Sequence, residues 1–155
     1  MSTISSPEIS VRVCVHSLEL PRIRLKAEPP VFVVFTSIQR TLKALEKAQE
    51  IAQPLGASVV VLAVQVVPYP LPLDQPPVSF EFVVKRFEDE AGDFPENTEI
   101  SAYLCRDPIE ALRRILNPKS PIVMGIRKHG WLNRDETRAR KLRRAGYDVI
   151  VVHEE

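Results

Sequence analysis

Glycine is scarce in this chain, five residues in 155, and no Walker-type phosphate loop or Ser-Gly-Gly run occurs. Cysteine is scarcer still. Cys14 and Cys105 could pair with each other, but their spacing matches no disulfide framework or zinc site, and a reducing cytoplasm is the expected compartment. Aromatic residues make up 6% and Trp131 stands alone, so no stacking ladder for single-stranded nucleic acid is present and nucleic-acid binding is not expected. Apolar runs are short. The longest, Val59 to Val64, falls far below the ~18 residues that cross a bilayer, so no membrane span is expected. The opening MSTISSPEIS lacks the charged head and apolar stretch of a secretory signal. HExxH, CxxC and nucleophile-elbow motifs are also missing, and nothing in the chain argues for an enzyme.

What is present is an ordinary globular composition, 45% apolar and 26% charged, at a length that suits a single core. The net charge is only +1, but it is unevenly spread. Residues 127 to 144 hold eight Lys or Arg against Asp135 and Glu136, a net +6, which leaves −5 for the remainder. A basic segment of this kind is either a solvated helix or a docking surface for an acidic protein partner, here over residues 134 to 144.

The hydrophobic pattern divides the chain at Pro29-Pro30. Before it, Ile9, Val11, Val13 and Val15, then Ile23 and Leu25, alternate with polar residues, which predicts an N-terminal extension of one or two strands over residues 1–30. After it, buried-strand runs alternate with amphipathic helices over residues 31–155. VFVVF (Val31 to Phe35) leads to Ile38, Leu42, Leu45, Ala48, Ile51, Ala52 and Leu55 at helical spacing, a stop at Gly56, and ASVVVLAVQVV (Ala57 to Val67). Two apolar runs joined by one such helix predict a parallel βαβ unit. Five prolines between Pro68 and Pro77 then impose an irregular connection.

Residues 78 to 91 carry both periods. Val78, Phe80, Phe82 and Val84 alternate, whereas Phe80, Val83, Val84, Phe87 and Ala91 share a helical face, and the acidic tail up to Gly92 favours a helix. TEISAYLC (Thr98 to Cys105) reads as a strand. In DPIEALRRIL, Asp107 is placed as N-cap, Pro108 at the first helical position and Glu110 three residues after the cap, as in a capping box. PIVMG, a basic helix from Asn133 to Ala145, and YDVIVV complete the order.

This order resembles the universal stress protein family over about 125 residues. The likeness is carried by the first strand–helix–strand stretch, by RDPIEALRRIL, and by PIVMGIRKHG…LRRAGYDVIVV. The resemblance implies an α/β fold, a Rossmann-like three-layer sandwich with a five-stranded, mainly parallel sheet, to which the N-terminal β extension is added. It also implies a homodimer paired through the last strand, Val149, Ile150, Val151 and Val152; an exposed apolar edge would otherwise invite aggregation.

Nucleotide-binding members of that family end the first strand in Asp and follow the fourth with Gly-x-x-Gly, then a small Gly-Ser or Gly-Thr pair. Glycines there let backbone N–H groups approach phosphate. In this chain Thr36 stands at the Asp position, Gly125 keeps the first glycine, and Lys128 falls on the second. Asp135-Glu136 or Arg138-Ala139 replaces the small pair. Two acids at the start of the last helix suit the helix dipole better than they suit a phosphate.

A candidate anion or nucleotide site is still defined by Thr36, Ser37, Val66, Gly125, Arg127, Lys128, His129 and Gly130, at the carboxyl ends of the strands. His16, His129 and His153 are scattered through the pattern, so no metal site is expected. Cys105, also at a strand end, is a candidate for redox sensing. The function expected is a non-catalytic stress-response or regulatory homodimer without family-type ATP binding and without a cofactor. The alternative is a sensor of ATP, AMP or a cyclic dinucleotide that uses the basic loop 125–130.

Overall fold

The computed structural model describes residues 12–15, 29–67, 80–91, 98–127 and 134–154. The Pro68–Pro77 connection, the second alternating set of the N-terminal extension, and Lys128, His129 and Gly130 lie outside the described residues. In chain order the elements are β1 (Arg12–Val15), β2 (Val31–Val34), α1 (Ile38–Ala52), β3 (Val59–Val66), α2 (Phe80–Ala91), β4 (Thr98–Cys105), α3 (Pro108–Ile115), β5 (Ile122–Arg127), α4 (Arg134–Arg144) and β6 (Val149–Glu154). No helix among the described residues is long and apolar enough to cross a membrane.

The strands form one sheet in the order β1-β4-β3-β2-β5-β6, and every neighbouring pair is parallel. The fold class predicted from alternating strands and helices is therefore the observed one, with one addition. Arg12–Val15 of the extension joins the same sheet as a sixth strand, in register with Ser101 to Leu104 on the outer side of β4.

The helices cover both faces. On one, Ala44, Leu45, Ala48 and Ala52 of α1 pack with Phe87 of α2 on Val31, Val33, Val59, Val61, Ile100 and Val123. Phe87 meets Phe35 edge-on at 5.6 Å between ring centres, so the ambiguous segment is a helix that supplies a core aromatic. On the other face, Leu112 and Ile115 of α3 and Ala139 and Leu142 of α4 pack on Phe32, Val34, Leu62, Ile122, Met124 and Ile126. Strands buried on both faces need apolar residues at every position, which is why VFVV and VVVLAV do not alternate. Each such Val or Phe, fully withdrawn from water, contributes about 1.5–3 kcal/mol relative to exposure.

Local chemistry sets the helix ends. The Ser37 hydroxyl accepts from the Arg40 N–H at 3.3 Å and caps α1; a short 3-10 turn, Gln53–Leu55, follows, and Gly56 closes it at φ 63°. That left-handed conformation is the one glycine adopts without cost. Asp107 accepts from the N–H groups of Ile109 and Glu110 at 3.0 and 3.2 Å, as the sequence predicts. Glu110 departs from the expected capping box and takes Arg114 at 2.7 Å, one turn along α3.

The last two strands run further than the sequence suggests. β5 continues past Gly125 to Arg127, and β6 past Val152 to Glu154, because the ladder between them holds through Ile126–His153 and Arg127–Glu154. Arg127 is accordingly a strand residue and not part of a loop, and His153 lies within the last strand.

Candidate functional site

The sheet order reverses at β2: β3 and β4 lie on one side and β5 and β6 on the other. In open α/β sheets that point, at the carboxyl ends of the strands, is where a crevice opens and ligands bind. Here the switch point lies between the ends of β2 and β5, and α1 and α4 begin beside it from opposite faces of the sheet.

Thr36 lies just beyond β2, after Phe35. Its hydroxyl donates to the Gly125 carbonyl at 3.0 Å, and its N–H donates to the Thr41 hydroxyl at 3.1 Å. The residue therefore ties the end of β2 to β5 on one side and to the first turn of α1 on the other. Ser37 spends its hydroxyl on the α1 cap. Both side chains sit at the predicted place, and both have internal partners.

Gly125 has a structural reason to be glycine that does not involve phosphate. A Cβ added there would stand 2.2 Å from the Arg40 carbonyl oxygen and 2.7 Å from its carbonyl carbon. The backbone of α1 thus lies directly over Gly125, on the side where a side chain would project. The sequence pattern assigned this residue to backbone exposure, and the structure assigns it to close helix–strand packing.

Above this contact a charged pair spans the strand ends. The Arg40 guanidinium meets the Asp135 carboxylate at 3.1 Å, with side chains only 17% and 20% exposed. Arg40 comes from the first turn of α1 and Asp135 from the first turn of α4, so the pair links the two helix starts over the strand ends. Asp135 does occupy the helix-start position read from the sequence, but its main partner lies 95 residues away. Arg40 was missed. The available signal was its position three residues after the Ser37 cap, which turns it toward the end of the strand.

The other candidates are not gathered here. Val66, at the end of β3, is 41% exposed and stands in register with Cys105. Arg127 is exposed at the end of β5, beside β6. At the β3/β4 ends, the Val67 carbonyl accepts from Arg106 at 2.7 Å. Cys105 is a free, buried thiol. Burial pushes its pKa up to about 11; the nearby Arg138 charge lowers it and Asp107 raises it. A buried thiol that stays protonated at neutral pH is a poor nucleophile, and the structure gives no support to Cys105 as a redox sensor.

No protein-family profile matches the chain, and no curated protein matches it. Solved structures do. One is a universal stress protein in complex with cAMP, 14% identical, covering 83% of this chain and all of that one at a TM-score of 0.49. Another, from the universal stress protein family of Burkholderia pseudomallei, is 20% identical over 82% of this chain and 98% of that one, at 0.46. A macrolide-efflux protein from Streptococcus pneumoniae is 14% identical over 83% of this chain but 46% of its own, at 0.44. Each is a distant likeness of overall shape.

Proposed function

We propose that this chain is a non-catalytic domain of the universal stress protein type, a stress-response or regulatory homodimer that does not bind ATP in the manner of that family. The observation that carries the reading is the Arg40–Asp135 pair. An anion entering the switch-point crevice would compete with a carboxylate already seated 3.1 Å from the arginine, and it would meet the α1 backbone where it needs bare Gly125. Carboxylate and phosphate are alternative partners for the same guanidinium, so the Asp135 side chain takes the role of an internal anion.

The outer surface suits protein contact better than small-molecule chemistry. Arg134, Arg140, Lys141 and Arg144 are exposed along α4, and an acidic protein partner is the reading that fits them. The homodimer would form through β6, which ends the sheet among the described residues.

Calorimetric and thermal-shift titration with ATP, AMP and a cyclic dinucleotide, each with and without magnesium, tests the proposal. The expected result is no heat of binding and no shift in melting temperature. A saturable shift with any of them overturns it in favour of a nucleotide sensor; phosphate release under metal titration overturns it in favour of a hydrolase.

A further inference from the structure

The outer edge of β6 holds a contact that the reading of a homodimer does not explain. The Ile122 N–H donates to the Asp148 carbonyl at 2.9 Å, and Ile122 stands in register with Val149. In a parallel ladder, residues alternate between turning both main-chain groups toward the neighbour and turning both away. Residues 148, 150 and 152 therefore face β5, and Val149, Val151 and His153 face outward. Three outward N–H and three outward C=O groups form the edge, and among the described residues no strand lies beyond them.

Among the described residues, the Val149 carbonyl is the one that meets a side chain. The Arg143 side chain reaches from the last turn of α4 to the Val149 carbonyl and donates to it twice, from Nε at 3.2 Å and from Nη2 at 2.8 Å. A carbonyl oxygen has two lone pairs, so this acceptor is filled. It is the outward carbonyl at the start of the strand, where antiparallel pairing would need it.

The edge is complementary to itself. Around a two-fold axis through Val151, Val151 would pair with Val151 of a second copy, and Val149 with His153 of a second copy. The strand begins beside Arg143 and Arg144 and ends at Glu154, so antiparallel pairing sets the basic end of one copy against the acidic end of the other. Of the six main-chain bonds such a ladder would make, the two from the His153 N–H groups need the Val149 carbonyls.

We propose that Arg143 guards this edge: its guanidinium fills the Val149 carbonyl that pairing with a second copy requires, so full strand pairing needs the side chain to let go. The inference rests on the homodimer proposed above and adds its regulation. The device leaves the β5–β6 ladder intact, because every group it affects faces outward. It also blunts an apolar edge strand against indiscriminate pairing, a task usually given to charged residues.

The test is sedimentation of the full chain across a concentration series, in about 0.3 M salt so that exposed charge attraction is screened. Arg143→Ala is expected to tighten self-association at least about fivefold, the equivalent of two net hydrogen bonds per dimer. Arg143→Lys, with a compact ammonium in place of the fork, should fall between the two; it also serves if the alanine variant does not fold. Val151→Pro removes an outward N–H and no ladder bond to β5, and in the Arg143→Ala background it should abolish the gain.

If the unmodified chain dimerises and Arg143→Ala leaves its affinity equal or weaker, the guard falls and the homodimer stands. If both remain monomeric at the highest concentrations reached, the homodimer falls and takes the guard with it. An unmodified monomer and a dimeric Arg143→Ala would uphold the guard and overturn the homodimer for the unmodified chain. Association that survives Val151→Pro would run through another surface and overturn the guard.

Discussion

β5 lies between two very different environments. Toward β2, the strand ends are tied internally: Thr36 bonds to Gly125, the α1 backbone covers Gly125, and Arg40 and Asp135 pair over both. Toward the outside, β6 presents a row of main-chain groups of which, among the described residues, the Val149 carbonyl is held by the Arg143 side chain and not by a strand. The first region has its polar groups matched by the chain itself, so it makes little demand for a ligand. The second has groups that another strand would match. The switch point is thus closed by the chain's own groups, whereas among the described residues the outer edge of β6 has no strand beside it.

The sharpest way to break the closed region is Gly125→Ala. The new methyl would lie 2.2 Å from the Arg40 carbonyl oxygen, and both elements would have to part. A loss of about 3 kcal/mol or more is expected in denaturant unfolding, at the severe end for a single substitution. A loss under about 1 kcal/mol would mean that α1 does not sit over the strand in this way.

Next in size is the charged pair. Asp135→Ala leaves the Arg40 guanidinium largely buried without its carboxylate, and removes an acid from the first turn of α4. Full burial would make the cost about 3–5 kcal/mol, and the residual exposure of both groups reduces it to about 1–2. A double-mutant cycle with Arg40→Ala should return a coupling of about 1 kcal/mol, and additivity would show that the two charges ignore each other. The smallest effect belongs to Ser37→Ala, which deletes the α1 cap at about 1 kcal/mol while leaving the pair above it in place. Hydrogen exchange confined to the first turn of α1 would register that loss.

Most of the architecture was readable because it depends on local patterns. The runs around Val31 and Val59 gave buried parallel strands, Asp107-Pro108 gave the start of α3, and Gly56 gave the stop after α1. The site was readable in position but not in content. Thr36, Ser37 and Gly125 are where the pattern put them, at the reversal point of the sheet. Their partners were hidden because each lies on a different element: Gly125 is 89 residues from Thr36, and Asp135 is 95 from Arg40. A glycine after an apolar run has the same signature whether it faces a phosphate or a helix backbone, and only the packing of α1 distinguishes the two. Arg127 was misplaced for a related reason, since the length of β5 is set by β6 and not by its own residues.

The face of α1 that meets the sheet carries Ala44, Ala48 and Ala52, all fully buried, one on each successive turn. Small side chains in line act as a spacing gauge: they fix how near the helix axis may come to the strands, and Gly125 continues the same gauge across the interface. How closely α1 sits over Gly125 is thus set up to three turns away, by residues that never approach it. Enlarging Ala48 to leucine would lift the helix as a lever lifts a lid, and would reopen space at the strand ends without a change to any residue that lines them.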